Sequence, residues 1–95
     1  MANIQRAQLP RIGWFVPRIY VVRHDPKGRE YKIIITVGNN IIANWWNSLG
    51  HKRSSLFEVK SIQMTSSDVG CALLRVENND FYKYVQPHEI LSVLT

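Results

Sequence analysis

Hydrophobic and polar positions alternate most regularly between Arg18 and Val37. Tyr31, Ile33, Ile35 and Val37 point one way and Glu30, Lys32 and Thr36 the other, with Ile34 the exception. A period of two with one apolar face predicts a half-buried strand. On the preceding arm Ile19 and Val21 share a face, and Tyr20 and Val22 the other. Between the arms stands Asp25-Pro26-Lys27-Gly28. Proline pre-sets the φ of the second turn position and glycine tolerates a positive φ, which suits a three- or four-residue hairpin loop with a glycine bulge. This hairpin is expected at the centre of a sheet.

The pattern then changes. Ile41, Ile42, Trp45, Trp46 and Leu49 follow the spacing of a helical stripe. Asn40 suits an N-cap and Gly50 the left-handed position past a helix end. A short helix over residues 41–49 is therefore expected, with both tryptophans in the core. The competing reading is a strand, favoured by the β-branched and aromatic content, in which the two tryptophans face opposite ways and one is available to a ligand.

His51 to Ser55 reads as a polar, basic connector. From Leu56 to Met64 a strand shows a change of phase, with Phe57 and Val59 in one register and Ile62 and Met64 in the other, which points to a bulge or bend. Thr65 to Gly70 is a turn. Cys71 to Glu77 is a strand with Ala72, Leu74 and Val76 on one face. Asn78-Asn79-Asp80 is a tight turn, and Phe81 to Gln86 a last strand with Tyr82 and Tyr84 opposite Phe81 and Val85. Pro87 starts a helical turn or short helix, with Ile90, Leu91 and Leu94 over the sheet.

Antiparallel hairpins with a helix on one face predict an α+β class, a single small domain with a curled antiparallel sheet of about five strands. The C-terminal half, with its bent strand, tight hairpin and YVQPHEI ending, resembles a small SH3-like β-barrel, which is the alternative architecture. The resemblance covers a fold outline only and implies no functional residue. Residues 1–17 read as an extended basic and aromatic arm and residues 18–95 as the globular domain. Pro10 and Pro17 bias the residues before them toward extended backbone. Alternatively Ile12, Trp14 and Val16 form a first strand, with the aromatics packed on the core.

Composition changes this picture mainly through charge. Lysine and arginine number 12 against 7 acids, a net charge of +5. Residues 1–48 carry seven cations and two acids, while residues 49–95 carry five of each. The whole excess thus lies in the first half, which suggests a polyanionic or acidic partner. The single cysteine excludes an internal disulfide and fits a reducing, cytoplasmic setting. No apolar run approaches the roughly 18 residues of a membrane helix, and the N-terminus lacks a secretory h-region.

Catalytic chemistry finds little support. His24, His51, His88 and Cys71 are scattered, without metal-ligand spacing. Cys71, at the start of an apolar strand, is expected to be a buried, inert thiol. There are no paired carboxylates, no P-loop and no GxGxxG. Neither an enzyme nor a cofactor is expected. The leading expectation is a nucleic-acid-binding protein with Arg11, Arg18, Arg23, Lys27, Arg29 and Lys32 on phosphates. Trp14, Phe15, Tyr20, Tyr82 and Tyr84 would be its stacking or partner contacts. The rival is a protein-interaction module or inhibitor, of the kind phages and mobile elements aim at a larger host enzyme, anchored by its aromatic arm. A homodimer through an open edge at Phe81–Val85 is a further expectation.

Overall fold

The computed structural model describes residues 13–95. Residues 1–12, including Arg11, Ile12 and most of the expected arm, lie outside the described residues. The described chain is built almost entirely of β-strands: β1 (Trp14–Phe15), β2 (Arg18–His24), β3 (Glu30–Thr36), β4 (Asn40–Trp46), β5 (Lys52–Met64), β6 (Leu73–Glu77), β7 (Tyr82–Val85) and β8 (Ile90–Val93). Two short 3-10 turns, Val69–Cys71 and Pro87–Glu89, interrupt them.

The strands make two antiparallel sheets, not an α+β fold. The larger runs β7-β6-β5-β4-β8, with β1 paired to the far end of β5. That order is an open path with β7 and β8 at its ends, so the SH3-like alternative of a closed barrel is also set aside. Strands β2 and β3 form a two-stranded sheet of their own. The first hairpin is therefore present as expected, but it packs across the larger sheet instead of standing at its centre.

Each sheet turns one face inward. The hairpin contributes Ile19, Val21 and Ile35 to the core, and the larger sheet contributes Ile41, Phe57, Val59, Ile62, Leu74, Val76, Val85 and Ile90. Sheets packed face to face in this way alternate inward apolar with outward polar positions along each strand. The phase change in β5 is a bulge: the ladder to β6 shifts between Val59 and Ser61, leaving Lys60 extra and exposed. That one added residue lets Phe57, Val59, Ile62 and Met64 all turn inward.

The expected helix over residues 41–49 is instead strand β4 and a hairpin turn. Its seven residues pair with β5 from Asn40↔Glu58 to Trp46↔Lys52, and its other edge pairs with β8. The physical reason lies on both sides of the segment. β5 pairs all seven residues of an Ile- and Trp-rich run that fills a pleated surface well, and β8 pairs Ile41 to Ala43 on the other edge. The expected connector His51–Ser55 is mostly strand too, since β5 begins at Lys52. Gly50 does take a left-handed conformation, φ 81°, but it closes a hairpin and not a helix. Pro87 opens only a single 3-10 turn. The chain then continues as β8, which buries Ile90 and leaves Leu91 and Leu94 exposed.

Candidate functional site

The two hairpins β2–β3 and β4–β5 carry many of the exposed cations, and the same turn builds both. In Asp25-Pro26-Lys27-Gly28-Arg29, the Asp25 N–H donates to the Arg29 carbonyl at 2.9 Å and the Gly28 N–H to the Asp25 carbonyl at 2.8 Å. The Asp25 carboxylate accepts from the N–H groups of Lys27 and Arg29. In Asn47-Ser48-Leu49-Gly50-His51, Asn47 makes the corresponding bonds. Its N–H donates to the His51 carbonyl, the Gly50 N–H donates to its carbonyl, and its side-chain oxygen accepts from Leu49 and His51. An Asx side chain that mimics a backbone turn, followed by a left-handed glycine, suits a three-residue loop.

The end of β2 is tied to the turn that leads into β8. Arg23 of β2 donates through Nη2 to the carbonyls of Pro87 at 2.7 Å and Ile90 at 2.8 Å. Ile90 is in turn paired with Ala43, in the middle of β4.

The expected phosphate contacts separate into tied and free groups. Arg23 is half-buried on its carbonyls. Arg29 is held by the Asp25 carboxylate at 2.9 Å, and these bonds from Arg29 and Lys27 hold the Asp25 carboxyl below its ordinary 3.8. Arg18 and Lys32 project from the outer face of the hairpin, and Lys27 from the turn. None of these three is in an ion pair among the described residues. Arg11 lies outside the described residues.

The expected aromatic contacts do not all converge either, though Trp14 and Tyr20 share a cleft. Tyr20 is on the outer face of β2, beside Val22 and Ile34, all three about half exposed. Tyr82 and Tyr84 are on the outer face of the larger sheet, on the other side of the core. There the Arg75 guanidinium lies 4.1 Å over the Tyr82 ring and is bound to Glu77 at 2.8 Å. Trp14 and Phe15 are exposed on β1, opposite Met64 and Gln63 of β5. With Val16, Arg18, Tyr20, Met64 and Val69, Trp14 lines an open cleft of about 480 Å³.

Trp45, Trp46, Lys52 and Arg53 were not among the expected contacts. Trp45 points inward: its ring centroid is 4.7 Å from that of Phe81, and its Nε1 donates to Ser55 Oγ at 2.9 Å. The Lys83 ammonium sits 5.0 Å from the same ring. Trp46 points outward and is 47% exposed, directly across from Lys52. Arg53, beside Lys52, is exposed as well, and neither cation is in an ion pair among the described residues. One linear signal marks this region: no acid occurs between Glu30 and Glu58, a stretch of 27 residues. The helical reading placed Trp46 in the core and so passed over it.

The thiol expected to be buried is exposed. Cys71 follows the Thr65–Gly70 turn ahead of β6, and its sulfur donates to the Asp68 carboxylate at 3.6 Å. The negative charge of Asp68 raises the thiol pKa, the reverse of what activates a nucleophile. Among the described residues no group of three His, Cys, Asp or Glu side chains could hold a metal ion, and no helix is long and apolar enough to cross a membrane. Compared with known proteins, the chain matches no family model, no curated protein and no solved structure.

Proposed function

We propose that this chain is a small, non-enzymatic nucleic-acid-binding protein that holds the phosphate backbone with the unpaired cations of its two hairpins. One observation carries the reading. Acids near these hairpins are already taken by local partners, Asp25 by Arg29 and Glu30 by His24 at 3.6 Å, while Lys27, Lys32, Lys52 and Arg53 stay unpaired. Unpaired positive charge thus stands on both hairpins, at Lys27 and Lys32 of the first and Lys52 and Arg53 of the second. Such a distribution attracts a polyanion and releases its counterions on binding.

The test is fluorescence anisotropy of labelled oligonucleotides at about 50 mM and about 150 mM salt, where several phosphate contacts make affinity fall steeply. Charge reversal of Lys52 and Arg53 together should weaken binding and flatten the salt dependence. Absence of binding at the lower salt refutes the reading, because electrostatic association is strongest there.

A second reading, docking on an acidic protein surface, is favoured by the outer face of β2–β3. Half-exposed Tyr20, Val22 and Ile34 form an apolar centre with Arg18 and Lys32 at its rim, an arrangement of anchor and rim found in protein interfaces. It predicts that the neutral substitution Ile34→Ser weakens capture of an acidic partner and leaves oligonucleotide binding unchanged.

A further inference from the structure

We propose that Trp46 is a stacking platform for an unpaired base, and that the outer face of the β4–β5 hairpin therefore prefers single-stranded nucleic acid to duplex. This inference rests on the nucleic-acid reading above and adds which form of nucleic acid is bound and where.

The alternation of β4 decides the orientation of the ring. Ile41, Ala43 and Trp45 turn into the core, so Ile42, Asn44 and Trp46 turn out. Their cross-strand neighbours on β5 are Leu56, Ser54 and Lys52. Directly opposed residues on one face of an antiparallel pair have their side chains side by side. Lys52 is thus the cross-strand neighbour of a half-exposed indole, and Asn44 and Ser54 supply polar groups one step along the ladder. The neighbouring Trp45, by contrast, is partly buried and packed against the core. The exposed ring of Trp46 has no ring partner and no cation over it among the described residues. Among the other exposed rings, Tyr82 already carries Arg75 on its face, and Tyr84 packs edge-on against Tyr82.

Charge selects the occupant. A half-exposed indole beside an unpaired lysine, inside a segment without acids, is complementary to a base and its phosphate. Further along the same face Asn40 opposes Glu58, and Glu58 opposes Glu77, each carboxylate already paired, with Lys60 at 3.6 Å and Arg75 at 2.8 Å. The unpaired cations of this hairpin therefore lie toward its tip. A paired base in duplex DNA cannot use this platform, because its faces are stacked on neighbouring bases.

The experiment compares a labelled oligothymidylate, an unlabelled duplex of equal length as competitor, and vesicles of phosphatidylcholine with phosphatidylserine. Vesicles are included because Trp46 and the 77% exposed Leu49 could also meet an anionic lipid surface. Trp46→Ala, Trp46→Tyr and Lys52→Glu are each checked for folding by circular dichroism. The expected result is single-strand binding that the duplex competes for poorly. Trp46→Ala should lose on the order of tenfold in affinity without a change in salt slope, and Trp46→Tyr should restore most of it. Lys52→Glu should instead flatten the slope. If Lys52→Glu weakens binding and Trp46→Ala does not, the stacking inference is refuted while the nucleic-acid reading stands. Equal affinity for duplex refutes it likewise. Vesicle binding without oligonucleotide binding overturns both.

Discussion

The two hairpins share a turn and differ in what surrounds it. Asp25 and Asn47 make the same backbone bonds, and Gly28 and Gly50 take the same left-handed conformation at φ 83° and 81°. In the first hairpin two of the cations near the tip are drawn into structure while Lys27 stays unpaired: Arg23 satisfies two carbonyls and Arg29 binds the very aspartate that forms the turn. In the second, the equivalent turn residue is a neutral asparagine, so His51, Lys52 and Arg53 are left without an acid. A single exchange of Asp for Asn at the turn's first position thus separates a self-neutralising tip from one that presents its charge outward. Cation count alone therefore misleads about where a polyanion would sit.

The sharpest test of the second hairpin lies in its tryptophans. Trp45→Ala removes a ring packed on Phe81 and should cost roughly 3 kcal/mol of stability in urea unfolding. Trp46→Ala, on the open face, should stay within about 0.5 kcal/mol. Similar losses for both would mean that Trp46 is a packing residue, and the contrast between the hairpins would collapse.

Arginines give the next contrast. Arg23→Met strips a charged donor from two carbonyls and should destabilise by roughly 2 kcal/mol. Arg53→Met should leave the unfolding midpoint almost unchanged and act on oligonucleotide affinity instead. A smaller and equal effect is expected at the two turns. Gly28→Ala and Gly50→Ala each place a side chain at a positive φ, at a cost of about 1 kcal/mol, so their melting temperatures should fall in parallel.

The smallest effect is on acid stability. Asp25 titrates below its ordinary value because the folded turn donates hydrogen bonds to its carboxylate. The stabilisation from that shift is complete above the unfolded value and is lost as pH falls through the lower folded one. Melting curves from about pH 6 to pH 2 should show Asp25→Asn with a shallower acid decline than the native chain. Asn47, which does not titrate, should contribute nothing to that slope, while Asn47→Asp should steepen the acid decline, and no change in that variant would contradict the comparison.

Local chemistry made much of this protein legible in its sequence. The alternation in β2 and β3, the turn at Asp25–Gly28, the bulge in β5 and the outward Tyr82 and Tyr84 all follow from patterns spanning a few residues. These are features in which backbone preference and the side-chain pattern agree. Residues 41–49 show the opposite case. Their spacing satisfies a helix, and Asn40 and Gly50 serve equally as helix caps or as strand end and hairpin turn. Pairing partners many residues away decided the matter, because β5 on one edge and β8 on the other supply hydrogen bonds that a local pattern cannot foresee.

That decision also fixes the candidate site. The chain alone determined that the molecule is basic, that its excess charge is in the first half and that no acid interrupts residues 31–57. Only the tertiary structure separated Trp45 from Trp46, tied Arg23 and Arg29 to internal partners, exposed Cys71, and placed Tyr20 on the opposite side of the core from Tyr82 and Tyr84. Charge and turn chemistry are carried by neighbours in sequence. Which side chains remain free for a partner depends on what the folded chain has already bound to itself.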